Sequence, residues 1–293
     1  MPEHTIPFIF AIIKKEPICC RQGHHACNEE AERGERNGHK MREQKSMAKP
    51  DAGKGNEKIK WCDSFIAHNV SGNLIINFLR PGTMLRISDK EIEAHYNTNI
   101  AVLAGADIAG GFFQSGQLIE NQEEWGEVAF GMVSMKQAGC GIMATYNARV
   151  SLGEKPTQQD MARLISLYER RGAVCRGKYG LAPTAPYKYF KSQGYEVDMT
   201  TGVNPEDLNA MGQKYDTFII YSYNNRDKVT DGMHMVNISK NTKGYQCHNG
   251  YHWNPKTNVW DAGEVKNSLW EAVRALSGGK AKPVCVIGIN RKG

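Results

Sequence analysis

The sequence predicts an α+β fold in which a helical half packs on an antiparallel β-sheet. Between Cys140 and about Gln193, apolar residues recur at helical spacing and the segments carry capping residues. From Thr217 onward, runs rich in β-branched and aromatic residues are bounded by turn residues, which is typical of strands. We therefore expect the helices to come first and the sheet to follow.

Four helices are predicted in the helical half. The first begins at Cys140 and ends before Gly153, with Met143, Tyr146 and Val150 on one face. The second begins at Thr157, which forms a capping-box pattern with Asp160, and ends near Gly172. The other two run from about Thr184 to Gln193 and from the Asn204–Pro205 pair.

The predicted strands are Tyr195–Met199, Thr217–Tyr223, Met233–Ser239, Gly244–Trp253 and Val284–Asn290, with a helix at Glu264–Leu276. We predict a four-residue loop, Lys240 to Lys243, which would pair Ser239 with Gly244, or a bulge at Gly244 with the same result. That register brings His234 opposite Asn249 on the same face of the sheet.

Residues 1–60 are predicted to be a disordered or pro-segment-like extension, because 28–60 are rich in Glu, Arg, Lys and Gly with little apolar periodicity. A pro-segment predicts cleavage between about Asn56 and Trp61. The folded domain is expected at 61–293, and its first part, 61–130, gives mixed signals. These are a strand at Asn73–Leu79, a short helix at Asp89–His95 and an apolar, Gly-rich stretch at Ala101–Phe113.

Composition excludes several classes of protein. No apolar run approaches the ~18 residues that a membrane span requires. The net charge of +6 is spread along the chain, so we expect no nucleic-acid partner. The apolar patch Ile6–Ile13 has neither a preceding positive segment nor a convincing cleavage site. We expect a cytoplasmic protein, or one exported without a secretory signal peptide; the oligomeric state stays open.

The eight cysteines are unevenly spaced, which favours a reducing compartment over a disulfide framework. Cys19, Cys20 and Cys27 lie near His24 and His25, but their spacing fits no familiar zinc site. We therefore expect neither a metal nor a cofactor. A metal-binding protein that uses the His24–His25 and His248–His252 pairs is an alternative that the spacing does not favour.

Cys140 is the strongest candidate for a reactive residue. In QAGCGIMATYNA it stands between two glycines where a helical pattern begins. The positive end of a helix dipole favours a thiolate, and main-chain N–H groups at that end can bind an oxyanion. The alternative is that Cys140 is a small buried apolar residue, as most free cysteines are.

Two residues of the predicted sheet could complete a site with Cys140. His234 follows a polar turn in DGMHMVNIS and begins a strand, and Asn249 lies in YQCHNGYHW. The Asn249 side-chain carbonyl could accept the imidazole N–H and fix the ring in the tautomer that faces the thiol. A histidine on a strand is more often structural, and asparagine is common in turns, so both residues also have structural interpretations.

Taken together, the Cys-Gly at a helix start, GLAPTAPYKYFKSQGYEV, DGMHMVNIS and YQCHNGY resemble a papain-like cysteine peptidase. The resemblance is to the bacterial bacteriocin-processing (double-glycine leader) peptidase-like group and covers about Gly131 to Gly293. It implies a papain-like α+β fold and hydrolysis of a peptide or protein substrate. It also implies that Cys140 is the nucleophile, His234 the general base and Asn249 the orienting residue.

One position departs from the family pattern, which places an oxyanion-hole glutamine several residues before the cysteine. Ser134 stands six residues before Cys140, and Gln137 stands three before it. We predict that Gln137 forms the oxyanion hole with the main-chain N–H of Cys140. The alternative glutamines are Gln114, Gln117 and Gln122.

The same residues allow other chemistry. If an amine replaced water, the protein would be a transglutaminase-like transferase, and if the substrate amide were a side chain it would be a deamidase. A binding module with an inert Cys140 is the alternative from a different class.

Overall fold

The structure is a computed structural model that describes residues 65–68, 74–77, 87–108, 111–171, 180–201, 203–224, 233–256 and 258–291. They form a mixed α+β arrangement of helices and antiparallel sheets, as the sequence predicts. The predicted extension at 1–60, the domain boundary near Trp61 and the expected cleavage segment lie outside these residues. No helix within the described ranges is long and apolar enough to cross a membrane.

Eleven strands are assigned in the described residues. They are β1 (Phe65–His68), β2 (Leu74–Asn77), β3 (Ala129–Phe130), β4 (Val133–Ser134), β5 (Val197–Thr200), β6 (Thr217–Tyr223), β7 (Met233–Asn241), β8 (Gly244–His248), β9 (His252–Asn254), β10 (Val259–Asp261) and β11 (Lys282–Ile289). Five of them form the main sheet, in the order β5-β11-β6-β7-β8, and each neighbouring pair is antiparallel. The others form three two-stranded sheets.

The α-helices of the described residues are α1 (Asp89–Ile108), α2 (Met135–Ala138), α3 (Cys140–Ser151), α4 (Gln158–Arg170), α5 (Thr184–Ser192), α6 (Pro205–Lys214) and α7 (Leu269–Ala275). The main sheet has apolar residues on both faces. One face packs with α3 and α5, with α4 packed against α3, and the opposite face packs with α6 and α7. The sheet is therefore the middle layer, with α3 lying against β7 and β6.

The helix α1 is longer than the sequence predicts. It continues past His95 to Ile108, into the apolar, Gly-rich stretch for which the sequence predicts no element. Tertiary contacts favour the longer helix: the Asn99 side chain donates to the carbonyl of Ala129 at 2.9 Å and accepts its N–H at 2.7 Å. Gly105 falls within the helix, because packing against α4 outweighs its low helix propensity.

The predicted register of the β7–β8 hairpin is wrong. Asn241 pairs with Gly244, so the turn contains only Thr242 and Lys243, and Ser239 pairs with Gln246. Gly244 has φ +134, and a Cβ there would lie 2.2 Å from the carbonyl oxygen of Lys266, so the turn requires glycine. The register differs from the prediction by two residues, so the paired residues Gly244–His248 keep their predicted faces. Asn249 lies beyond the paired strand, and its side chain contacts Met143 of α3, so it does not share a face with His234 as predicted.

The predicted strand Gly244–Trp253 is interrupted. Asn249 and Tyr251 have φ values of 56° and 57°, which end β8 and redirect the chain into β9. The helix α7 begins later than the predicted Glu264, because the Ser268 side chain caps it by accepting the N–H of Glu271 at 3.2 Å.

Candidate active site

Cys140 is the first residue of α3 and follows α2 through Gly139. Gly139 is helical (φ −83°, ψ −3°), and its carbonyl accepts the N–H groups of Ile142 and Met143, each at 2.9 Å. The N–H groups of Cys140 and Gly141 therefore precede the hydrogen-bonded part of α3, at the positive end of its dipole. The Cys140 side chain is half-buried and packs against the core on the α3 side of the sheet.

The first turn of α3 packs closely against β7, next to His234. A Cβ added to Gly141 would lie 2.9 Å from the sulfur of Met235, the residue after His234, so a larger residue would require the Met235 side chain to shift. Burial raises the pKa of Tyr221 well above its usual value, and a charge on Cys140 raises it further. Tyr221 is cross-strand from Met235, so Cys140 lies over the same part of the sheet.

The His234 ring is held by a main-chain group. Its Nε2 lies 2.8 Å from the carbonyl oxygen of Asn249, and because that oxygen can only accept, Nε2 carries the proton. The lone pair is then on Nδ1, which has no hydrogen-bond partner within the described part of the chain. The ring also packs against Tyr251, with centroids 4.6 Å apart.

The environment of His234 favours a neutral imidazole. The side chain keeps some accessible surface, yet protein atoms surround it densely. This desolvation lowers the pKa of His234 to about 4, and the hydrogen bond that His234 donates to the Asn249 carbonyl opposes the shift only partly. At neutral pH the ring is therefore uncharged, and the same burial that keeps it neutral makes it a weaker base than a free imidazole.

Cys140 and His234 meet the sheet from different sides. Met233 and Met235 pack in the same core as Cys140, whereas Val236 belongs to the core on the opposite face. Because side chains alternate along a strand, His234 leaves β7 on the side of Val236. A pair between the thiol and the imidazole would thus form around the end of β7, not across the face of the sheet.

Asn249 contacts His234 through its main chain and not through its side chain. Its Nδ2 donates to Oε1 of Gln122 at 3.2 Å and lies 3.7 Å from the sulfur of Met143 in α3. Its Oδ1 is buried and has no hydrogen-bond partner among the described residues. The orienting contact that was predicted for the side-chain carbonyl is therefore made by the main-chain carbonyl in this structure.

The side-chain hydrogen bonds of Gln137 and Gln122 are made with groups other than Cys140. Gln137 is exposed, and its Oε1 accepts the N–H of Ser134 at 3.4 Å, at the start of α2. Gln122 is buried and donates to the carbonyls of Met135 and Lys136 at 3.2 and 2.9 Å, so both of its N–H groups are used. The oxyanion role of Gln137 stays a prediction.

A buried polar network that the sequence did not reveal lies behind Asn249. Glu120 Oε1 is 2.6 Å from His248 Nδ1, and Glu120 Oε2 accepts the main-chain N–H of Asn249 at 3.0 Å. The other ring nitrogen of His248 lies 2.8 Å from the hydroxyl of Ser239. Sequence reasoning missed Glu120 because it precedes His248 by 128 positions in the chain and belongs to no periodic pattern.

An aromatic surface extends from His234 along the β9–β10 hairpin. Tyr251 packs edge-on against Trp260 at 5.7 Å, and Trp260 packs edge-on against Trp253 at 5.3 Å. Tyr251 is 39% exposed and Trp253 is 47% exposed, which is high for such large rings.

The described residues contain no group of three or more His, Cys, Asp or Glu side chains that could hold a metal ion.

Comparisons of this chain with protein-family models, with curated proteins and with solved structures each find no match.

Proposed function

We propose that this protein is a cysteine peptidase with a papain-like arrangement, in which Cys140 is the nucleophile and His234 the general base. The observation that supports the proposal most is the hydrogen bond between His234 Nε2 and the Asn249 carbonyl. It leaves the lone pair on Nδ1, and the neighbours of the two residues in sequence, Gly141 and Met235, pack against each other. Asn249 has the orienting role through its main-chain oxygen.

The proposed reaction is acyl transfer through a thioester. His234 Nδ1 takes the proton of Cys140, and the sulfur attacks the carbonyl carbon of a peptide bond. The oxyanion lies near the N–H groups at the start of α3. When the C–N bond breaks, His234 returns the proton to the leaving amine; water then attacks the thioester, with His234 again as base, and releases the acid and the thiol.

The lowered pKa of His234 decides how the thiol is activated. A neutral imidazole removes the proton as the sulfur attacks, so a stable thiolate–imidazolium pair is not required. The reaction then needs the two side chains to approach each other around the end of β7. The distance between the Cys140 and His234 side chains is therefore the first property of the proposal to test.

A dihaloacetone tests the approach without knowledge of the substrate. One carbon of this short bifunctional reagent alkylates Cys140 and loses halide, and the other can then alkylate a nitrogen within its short reach, losing the second halide. We expect a Cys140–His234 cross-link in peptide mass spectra of the native protein, and none after denaturation. Native protein that carries only singly attached reagent at Cys140 would show that the two side chains do not meet.

Alkylation rates test the base. Cys247 and Cys285 are poor internal controls, because burial raises the pKa of both thiols, that of Cys285 to about 12. The informative comparison is wild type against His234→Ala, with a limiting monofunctional reagent at several pH values. A Cys140 rate that does not depend on His234 contradicts the proposal and supports a binding module with an inert thiol.

The chemistry after the thioester separates the remaining possibilities. A peptidase releases a new amino terminus from a peptide library, whereas a transglutaminase incorporates a labelled amine. A deamidase releases ammonia from a glutamine or asparagine side chain. All three outcomes share the role of Cys140 and His234. They differ in the amine that leaves when the thioester forms and in the nucleophile, water or an amine, that then attacks it.

A further inference from the structure

We propose that Glu120 is a positioning residue for His234, acting through the main chain of Asn249; the proposal rests on the function proposed above. The two carboxylate oxygens of Glu120 have different donors. One bonds to His248 at 2.6 Å, and the other accepts the N–H of Asn249 at 3.0 Å. The carbonyl of Asn249 in turn holds the His234 ring at 2.8 Å.

The contact matters because the backbone conformation of Asn249 sets the direction of its carbonyl. Its φ of 56° lies in the left-handed region, which asparagine adopts more readily than other residues with a side chain. This conformation directs the carbonyl toward His234. Glu120 fixes the N–H end of the residue, and Gln122 fixes its side chain, so the carbonyl cannot turn away easily.

Glu120 is itself held in place. The Glu120 side chain is only 20% exposed and that of its partner His248 2%, and the second ring nitrogen of His248 is bonded to Ser239 in β7. The chain of hydrogen bonds thus begins at Ser239, in the second half of β7, and ends at His234, near the start of the strand. It links the position of the proposed base to a rigid part of the sheet.

The test uses three variants of Glu120. In Glu120→Ala the Asn249 N–H loses its acceptor, and we expect the His234-dependent alkylation rate of Cys140 to fall about tenfold or more. Glu120→Asp keeps the charge but draws the oxygens back by about 1.5 Å, the length of one C–C bond, so we expect a similar fall. Glu120→Gln can still present one oxygen to Asn249 and an N–H to His248 Nδ1, so it should restore most of the rate.

Glu169 supplies a matched control. It is also buried, and its Oε1 lies 2.7 Å from a histidine nitrogen, that of His95, and accepts a main-chain N–H, that of Gly131, at 2.8 Å. Glu169→Ala removes the same kind of contact from the packing of α1 and α4. We expect it to lower stability without a change in the pH profile of Cys140 alkylation.

Nitrogen-detected NMR of the imidazoles gives a readout that does not depend on the thiol. In wild type we expect His234 to show the Nε2–H tautomer, identified by loss of its signal in His234→Ala. The Glu120→Ala and Glu120→Asp variants should shift it toward a tautomer mixture. Folded variants with an unchanged His234 signal, or an equal change in Glu169→Ala, would overturn the inference. If Cys140 reactivity is independent of His234 but the tautomer still responds to Glu120, only the proposed function fails.

Discussion

The substitution Gly139→Ala tests the junction that places Cys140 at the start of α3. Gly139 has ordinary helical φ and ψ, so an alanine there is excluded only by space. Its Cβ would lie 2.4 Å from the carbonyl oxygen of Met135 and 2.8 Å from the Met135 sulfur. Met135 is fully buried, so neither group can move into open solvent.

The size of the effect follows from these distances. An ordinary contact between carbon and oxygen requires the two atoms to separate by about 1 Å more, and overpacking of this kind costs about 1–3 kcal/mol. The same Met135 oxygen accepts the N–H of Gly139 at 2.8 Å, so the separation also weakens that bond, at about 1 kcal/mol. We therefore expect Gly139→Ala to lower the free energy of unfolding by about 2–4 kcal/mol.

Urea denaturation measures this change, and Gly105→Ala is the matched control. Gly105 lies within α1 and has no atom near the added Cβ, so the same substitution should stabilise the protein by about 0.5–1 kcal/mol. Gly139→Ala should also lower the alkylation rate of Cys140, because the start of α3 must move. A Gly139→Ala protein as stable as wild type would refute the steric reasoning.

Two further predictions concern His234 and its partner. The pKa of His234 is about 4 in the native protein and about 6.5 in the unfolded chain. Between these two pH values the unfolded chain binds a proton that the native protein does not bind. The free energy of unfolding should therefore fall between about pH 7 and pH 4, and urea titrations should show a smaller fall in His234→Ala. Asn249→Gly keeps the main-chain carbonyl and suits the positive φ, so the loss of Cys140 alkylation rate should be about tenfold smaller than in His234→Ala. An equal loss in the two variants would show that the Asn249 side chain is the orienting group.

Local sequence signals were sufficient for the helices whose ends have capping residues. The expected cap at Thr157 is present, since its hydroxyl accepts the N–H of Asp160 at 3.2 Å. The cap at Asn204 is present too, at 2.8 Å from the N–H of Asp207. The helix that begins at Cys140 is likewise confirmed, because its start is fixed by neighbouring glycines and its apolar face by spacing.

Features that depend on distant contacts could not be predicted. The helix α1 extends through Gly105 because of tertiary packing, which local propensity does not report. The hairpin register depends on the carbonyl of Lys266 beside Gly244, a contact made 22 positions along the chain. In the candidate site, the roles of Cys140 and His234 stay predictions from motifs, and the atom of Asn249 that contacts His234 depends on a single backbone angle that no motif reports.

The turn between β7 and β8 limits how this chain can change in length. Cys247 belongs to the core on the α6–α7 face, and His248, one residue later, faces the opposite side toward Glu120. Inserting one residue into the two-residue turn would exchange these positions and direct an imidazole into an apolar core. Inserting two residues would return each side chain to its own face. Unless a bulge absorbs the difference, viable insertions and deletions at this turn should therefore occur in pairs.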